Sequence, residues 1–590
     1  MAMKYLRYAA LTLSVFLLAA CNPKDEPLPD KNEPDTKYVG QAVGNFSADE
    51  WFPGGLLGTT TNVTDGCYED ETPAVEAQGL SYEFNLGEKF FERNYTENTK
   101  PFNGLGPASV RKSCLDCHPG YGHGQWKDRY IANGSAAYGN GYLLVVYHPT
   151  YAGSNDGPYI AEVTGMPQTM AQSPFLPPID EKKINIVWNE IGSMESGLPM
   201  TFKDGEKYAL QYPTVTIPAS AFNTDPVPEN IEFRLESTIG ITGTGLIDAI
   251  PTDSIVAQYA KEAAYFRSAG LEVSEYLNPN YWDEGAQKMA AGAYYTNFYT
   301  DGILADGTKT SKAAGDYNTL KRYTYALTRG SLQDGAGANA IWNITNVSRP
   351  DRPYLYTTNA WASAMSKNKD VIASIKASGK NSPYYVDVNG DGKVADEEIA
   401  EAVYELLRPG TNQFDNNYHN FEPEMTADQN YAFMVWHRGL AIPRARNLNK
   451  ESVQRGKKVF MELGCASCHR PSWTTKDDNY WSPAMYEGKP LPRYADQKIY
   501  PYSDFVQHKL YMKNDIHGSW CRTTPLWGRG LSAQETGRGD RLHDNRARNV
   551  VEAIMWHGYS KKSHSYSAAE KFYNLSKEDR DAVVEFINSI

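Results

Sequence analysis

The chain has 590 residues, 41% apolar and 22% charged, enough for a large packed core and too many for one small domain. That balance excludes a fibrous or wholly disordered protein, and a mean hydropathy of −0.56 excludes a multi-span membrane protein. The formal charge of −13 argues against nucleic acid as a partner, more so once Lys4 and Arg7 leave with a leader.

Lys4 and Arg7 precede an apolar run from Tyr8 to Ala20 that is too short to span a bilayer, so residues 1–20 read as a signal peptide. The run ends Leu18-Ala19-Ala20-Cys21, which resembles a bacterial lipobox. The resemblance implies cleavage before Cys21, lipidation of its thiol, and an exported lipoprotein, periplasmic or associated with the outer membrane. Residues 21–37 are rich in Pro, Asp, Glu and Lys and read as a disordered tether to the membrane.

A unit over residues 38–140 opens with a helix from Tyr82 to Arg93 and surrounds Cys114-Leu-Asp-Cys117-His118. Residues 141–425 form a large insertion, in which Tyr142–Tyr147 and Tyr208–Ile217 read as strands and Asp253–Arg267 and Tyr281–Tyr299 as helices. A third unit, residues 426–590, begins with a helix at Thr426–Arg438 behind the capping box Thr426-Ala-Asp-Gln429. A helix from Ser452 delivers Cys465-Ala-Ser-Cys468-His469, and Lys577–Ile587 closes the chain with Ala582, Val583, Phe586 and Ile587 on one face. The predicted fold is mainly α: two cytochrome c-like haem domains with an irregular, β-containing insertion.

Both cysteine motifs read CxxCH. Thiols three apart add across the two vinyl groups of haem, and the adjacent imidazole ligates its iron. Two covalently bound haem c groups are therefore predicted, on Cys114 and Cys117 with His118, and on Cys465 and Cys468 with His469. A thioredoxin-like pair would not need the His, and a zinc site would need another Cys or His pair nearby. Cys67 and Cys521 are left over. In an oxidising compartment they are expected to form a disulfide, the alternative being two buried unpaired thiols.

Residues 387–398 fit the EF-hand loop, with Asp387, Asn389, Asp391, the carbonyl of Lys393 and Glu398 as ligands for one Ca²⁺ and Gly392 at the turn. Ser382-Pro383-Tyr384-Tyr385 breaks any entering helix, so a structural ion is expected and not a calcium switch.

Gly245-Leu-Ile-Asp-Ala-Ile-Pro251, Arg438-Gly-Leu-Ala-Ile-Pro443, Tyr502-Ser-Asp-Phe-Val-Gln-His508, Arg522-Thr-Thr-Pro-Leu-Trp-Gly528 and the stretch from Leu542 to Gly558 resemble the di-haem oxidoreductase family, also labelled thiol oxidoreductases. That family is related more distantly to di-haem cytochrome c peroxidases and MauG-type enzymes. The resemblance implies electrons entering at the C-terminal haem from a redox partner protein or small donor. It implies hydrogen peroxide or another oxidant reacting at the N-terminal haem. A non-enzymatic electron-transfer cytochrome and a haem-based redox sensor are the alternatives. His557 stands where the peroxidase relatives carry a Met ligand, so it is the implied sixth ligand opposite His469, ahead of His543 and His508. For the His118 iron, His148, Met194 and Met200 are candidates, and His123 lies too close in sequence to reach the opposite haem face. No catalytic acid or base is identified. The Phe-Trp-Asp-Gly-Arg-Ala stretch of the peroxidases has no counterpart.

Overall fold

A computed structural model describes residues 35–590 apart from 96–103, 131–140, 150–159, 297–300, 305–308, 312–317, 333–337, 414–417, 419–421 and 479–480. The leader, Cys21 and most of the tether lie outside the described residues. Helix outweighs strand, 37% against 13%, in keeping with a mainly α chain, and the strands form only small sheets of two or three. The helices that position the site are, in chain order, α1 (Ser81–Glu92), α2 (Thr252–Ser268), α3 (Asp396–Leu407), α4 (Ala427–Gly439), α5 (Glu451–Leu463), α6 (Val550–His557) and α7 (Lys577–Ser589).

Two helix pairs carry the architecture. α1 turns Phe84, Gly87, Phe90 and Phe91 inward against α4, which is buried from Asn430 to Gly439. The contact is backbone to backbone: a Cβ on Gly87 would meet the Ala432 carbonyl oxygen at 2.1 Å. α5 buries Val453, Gly456, Val459, Phe460 and Leu463 against α7, where a Cβ on Gly456 would meet the Ala582 carbonyl at 2.0 Å. Glycine at these points lets the helices approach more closely than side chains allow. Val43, Phe46 and Trp51 share the second core with Val453, Phe460 and Phe586.

In the insertion, β1 (Tyr142–Tyr147), β2 (Asn185–Glu190), β3 (Gln211–Thr216) and β4 (Glu232–Ser237) pair antiparallel. Leu144 lies opposite Leu235 in β1–β4, and Ile186 opposite Val215 in β2–β3. The alternation that predicted β1 is real: Tyr142, Leu144 and Val146 point into a core with Ile179, Ile217 and Phe222. Among the described residues of Tyr281–Tyr299, which end at Thr296, the expected helix is absent. Trp282–Asp283 instead pairs with Lys288–Met289 as a tight hairpin, and Tyr294–Thr296 pairs with Asn318–Leu320. Gly285 and Gly292 interrupt what would have been the helix, and each weakens a helical turn.

Candidate haem sites

The first motif is a tight turn. Ser113 Oγ accepts the Leu115 amide at 3.2 Å, the Asp116 carboxylate accepts the Ser113 amide at 3.3 Å, and the His118 amide donates to the Cys114 carbonyl at 2.9 Å. This holds both thiols and the imidazole on one short arc. His118 Nδ1 lies 3.1 Å from the Gly122 carbonyl. Because a carbonyl only accepts, Nδ1 is the donor and Nε2 carries the free lone pair. Burial lowers His118 to about 4, so at neutral pH the ring has the form that binds iron. Burial likewise raises Cys114 and pushes Cys117 up to about 11.

The second motif is built alike. Gly464, at φ 89°, ends α5 in the left-handed conformation, and the His469 amide donates to the Cys465 carbonyl at 2.9 Å. His469 Nδ1 donates to the Tyr502 carbonyl at 3.0 Å. Burial, and secondarily the neighbouring His557, lower His469 to about 4. The Phe460 ring stands 6.3 Å from that of His469, and Tyr502 and Phe586 complete the wall.

His557 is thus beside His469, and its Nδ1 donates to the Ala553 carbonyl at 2.7 Å, which again leaves Nε2 free. His508 is a hydrogen-bonding residue at the motif's edge: its Nε2 meets Asp504 Oδ2 at 2.8 Å, and both lie within 4.8 Å of the Cys468 sulfur. His543 belongs to a separate group with Asp515 and Cys521. None of the candidates named for the His118 iron stands near it. His148 is half-buried and bonded to the Asn230 carbonyl, while Met194 and Met200 pack into the core of the C-terminal unit. Two imidazoles bear on His118: His123, just beyond the following turn and lowered by burial, and, from a separate element, His437 of α4, lowered to about 3 by burial and by the charge of His118. Sequence reasoning passed over it, although the Trp436-His437 pair repeats Trp556-His557.

Behind Gly122, whose carbonyl holds His118, lies a small cavity of about 30 Å³ lined by Gly122, His123, Gly240, Thr244, Arg522 and Arg529. Burial lowers Arg522 to about 10 and Arg541 to about 9, and it lowers Arg529 as well. Arg522 Nη1, Arg529 Nη1 and Arg541 Nε are buried without a partner. All three bear electrostatically on His123 together with His118. Arginine stays charged in proteins, so this cluster calls for an anionic group, and the two propionates of haem supply one. The donor chemistry and the orphaned guanidinium atoms fit haem at His118. The aimed imidazoles and aromatic wall fit it at His469.

The 387–398 loop has its turn at Gly392, φ 84°, and leads into α3. Asp387 accepts the Gly390, Asp391 and Gly392 amides, and Glu398 accepts those of Val388 and Asn389. Lys369–Ser378 is the nearest preceding α-helix and stops short of the loop, as the Ser-Pro break predicts.

The expected Cys67–Cys521 disulfide is not formed; both are free buried thiols. Cys67 sits in the large core beside Glu535. The Cys521 sulfur faces His543 Nδ1 at 3.7 Å, in a small cluster with Tyr325 and Ile516. Each is walled off from the other by its own packing.

No curated protein matches the chain significantly. Residues 392–590 match the family described as "Di-haem oxidoreductase, putative peroxidase". The matched span takes in His437, the second CxxCH motif and His557; Cys114–His118 lies before it. Over its C-terminal third, the chain is therefore similar to the di-haem oxidoreductase family.

Proposed function

We propose that the protein is an exported, lipid-anchored di-haem c-type oxidoreductase of peroxidase type. Electrons enter at the His469 haem from a redox partner or small donor, and hydrogen peroxide or a related oxidant is reduced at the His118 haem. The observation that carries this reading is the matched construction of the two motifs: each CxxCH histidine donates Nδ1–H to a backbone carbonyl and presents Nε2 outward. Fixing the tautomer in this way aims a metal-ligating imidazole and strengthens it as a donor.

Haem bound at these positions supplies the iron redox chemistry. The chain supplies the rest. His118 and His469 stay neutral through burial. Phe91, 6.1 Å from His118, and Trp436, 4.3 Å from Phe91, keep water from the first site. Arg522, Arg529 and Arg541, each with a buried unpartnered nitrogen, would pair with the carboxylates of the group. The asymmetry in guanidinium charge favours the His118 site for accepting electrons, because buried cations stabilise the reduced state. One Ca²⁺ on Asp387, Asn389, Asp391, Lys393 and Glu398 would brace the loop ahead of α3.

The test uses the full chain matured in a host competent for c-type haem attachment. Denatured protein should retain two haems by mass and by pyridine haemochrome, and the reduced protein should be reoxidised by peroxide. Two retained haems indifferent to peroxide would replace the peroxidase with an electron carrier. A chain retaining no haem would remove the reading altogether.

A further inference from the structure

The helices that face the two motifs end alike. α4 closes Val435-Trp436-His437-Arg438-Gly439, and α6 closes Met555-Trp556-His557-Gly558. Both tryptophans are fully buried, and both indole Nε1 atoms lack an acceptor. In each case the following histidine lies beside a CxxCH histidine, His437 by His118 and His557 by His469.

Packing ties the first pair independently. The Phe91 ring bridges the two elements, 6.1 Å from His118 and 4.3 Å from Trp436. Tyr121, on the turn after His118, lies 6.1 Å from Trp436. Thr244 Oγ1 donates to the His437 carbonyl at 3.2 Å, and Thr244 lines the cavity with Gly122 and His123. The end of α4 is thereby seated against the turn that holds His118.

We propose that His437 is the sixth ligand of the haem iron held by His118, and that it is the ligand an incoming oxidant displaces. The assignment rests on the reading of CxxCH as haem attachment. The two distal histidines differ in one respect. His557 donates Nδ1–H to Ala553, whereas His437 Nδ1 is buried with no partner, and its ring is met by the apolar rings of Trp436, 5.7 Å away, and Phe433, 6.0 Å away. An imidazole without that outer hydrogen bond is a weaker, less firmly aimed donor, and a buried N–H left unpaired adds a cost to the bound arrangement. Iron opposite His118 is therefore easier to open than iron opposite His469, although both are closed at rest.

The experiment is ferric EPR and near-infrared magnetic circular dichroism on the matured full chain, with haem content fixed by denatured mass. Wild type should show two low-spin bis-imidazole haems. H437A should convert one of them to high spin, and free imidazole should restore it. H437M should give one haem the charge-transfer band of an imidazole–thioether iron. Cyanide should bind one haem of the wild type and bind H437A faster, while H557A should alter the other haem. Should alanine prevent maturation, the wild-type and H437M spectra still decide. A wild type with one high-spin haem, or H437M with two haems and spectra superposable on wild type, overturns the assignment and leaves the di-haem reading standing. Protein without covalent haem overturns both.

Discussion

Arg438 Nη1 meets Asp248 Oδ2 at 2.6 Å with both side chains out of solvent, and the other arm of the same guanidinium takes Asp478. The bridge locks the C-terminal turn of α4, the turn that carries His437, to the end of the short helix Thr244–Asp248 ahead of α2. Burial opposes the charge on Arg438, but the two carboxylates outweigh it and raise its pKa. Removing one member of such a group strands the others. Arg438→Met should lose about 3–5 kcal/mol in urea denaturation, and adding Asp248→Asn should recover part of it. Equal stability of the single mutant and wild type would show that the bridge contributes nothing.

Arg541 is buried and has an unpartnered Nε near the first motif. Deleting a buried positive charge disfavours the reduced iron. Arg541→Met should lower the midpoint potential of the His118 haem by on the order of tens of millivolts and leave that of the His469 haem in place. Spectroelectrochemical titration resolves the two.

The Asp387–Glu398 loop should respond to metal. If calcium binds it, saturating Ca²⁺ stabilises the fold by about 2–4 kcal/mol over a chelated sample, seen as a higher melting temperature. Asp387→Ala should erase that difference, and a melting curve blind to both Ca²⁺ and chelator would rule the ion out.

His564 sets a pH dependence away from the haem ligands. Its Nδ1 accepts the Lys509 amide at 3.3 Å and its Nε2 donates to the Glu275 carbonyl at 2.9 Å, so the folded state has no room for a second ring proton. Burial, then the charge of His508, lower it to about 3. The unfolded chain takes up a proton near the ordinary histidine value of ~6.5. Stability from this group is thus complete above pH ~6.5 and drains away as pH falls toward 3. The loss by pH 5 should be about 1 kcal/mol after allowance for partial exposure. His564→Gln should flatten the curve in that interval, measured by chemical denaturation across pH.

Cys67 and Cys521 should both react with a thiol reagent once the matured protein is denatured without reductant, and mobility should not change on reduction. Loss of both reactive thiols would restore the cross-link that the structure lacks.

The two CxxCH motifs were legible as candidate haem sites because the chemistry they suggest is complete within five residues, and α2, α4, α5 and α7 were legible because each shows a continuous apolar period. His557 was legible only through resemblance. His437 was not, since its partner lies far away in sequence and the pairing depends on how α4 crosses α1 at Gly87. The Tyr281–Tyr299 segment misled because its alanines favour a helix while Gly285 and Gly292 break it. Counting cysteines gave a plausible bond between Cys67 and Cys521, but arithmetic carries no distances.

Val43, Phe46 and Trp51 fill the same core as Val453, Phe460 and Phe586. Ribosomal synthesis makes the first three long before the last three exist, so the earliest folded stretch must wait with its aromatics uncovered until the end of translation. The downstream half is consequently not a separable module: produced alone, it would expose the seat that Trp51 vacates. Any dissection that aims to study one iron at a time is better done by point substitution than by cutting the polypeptide.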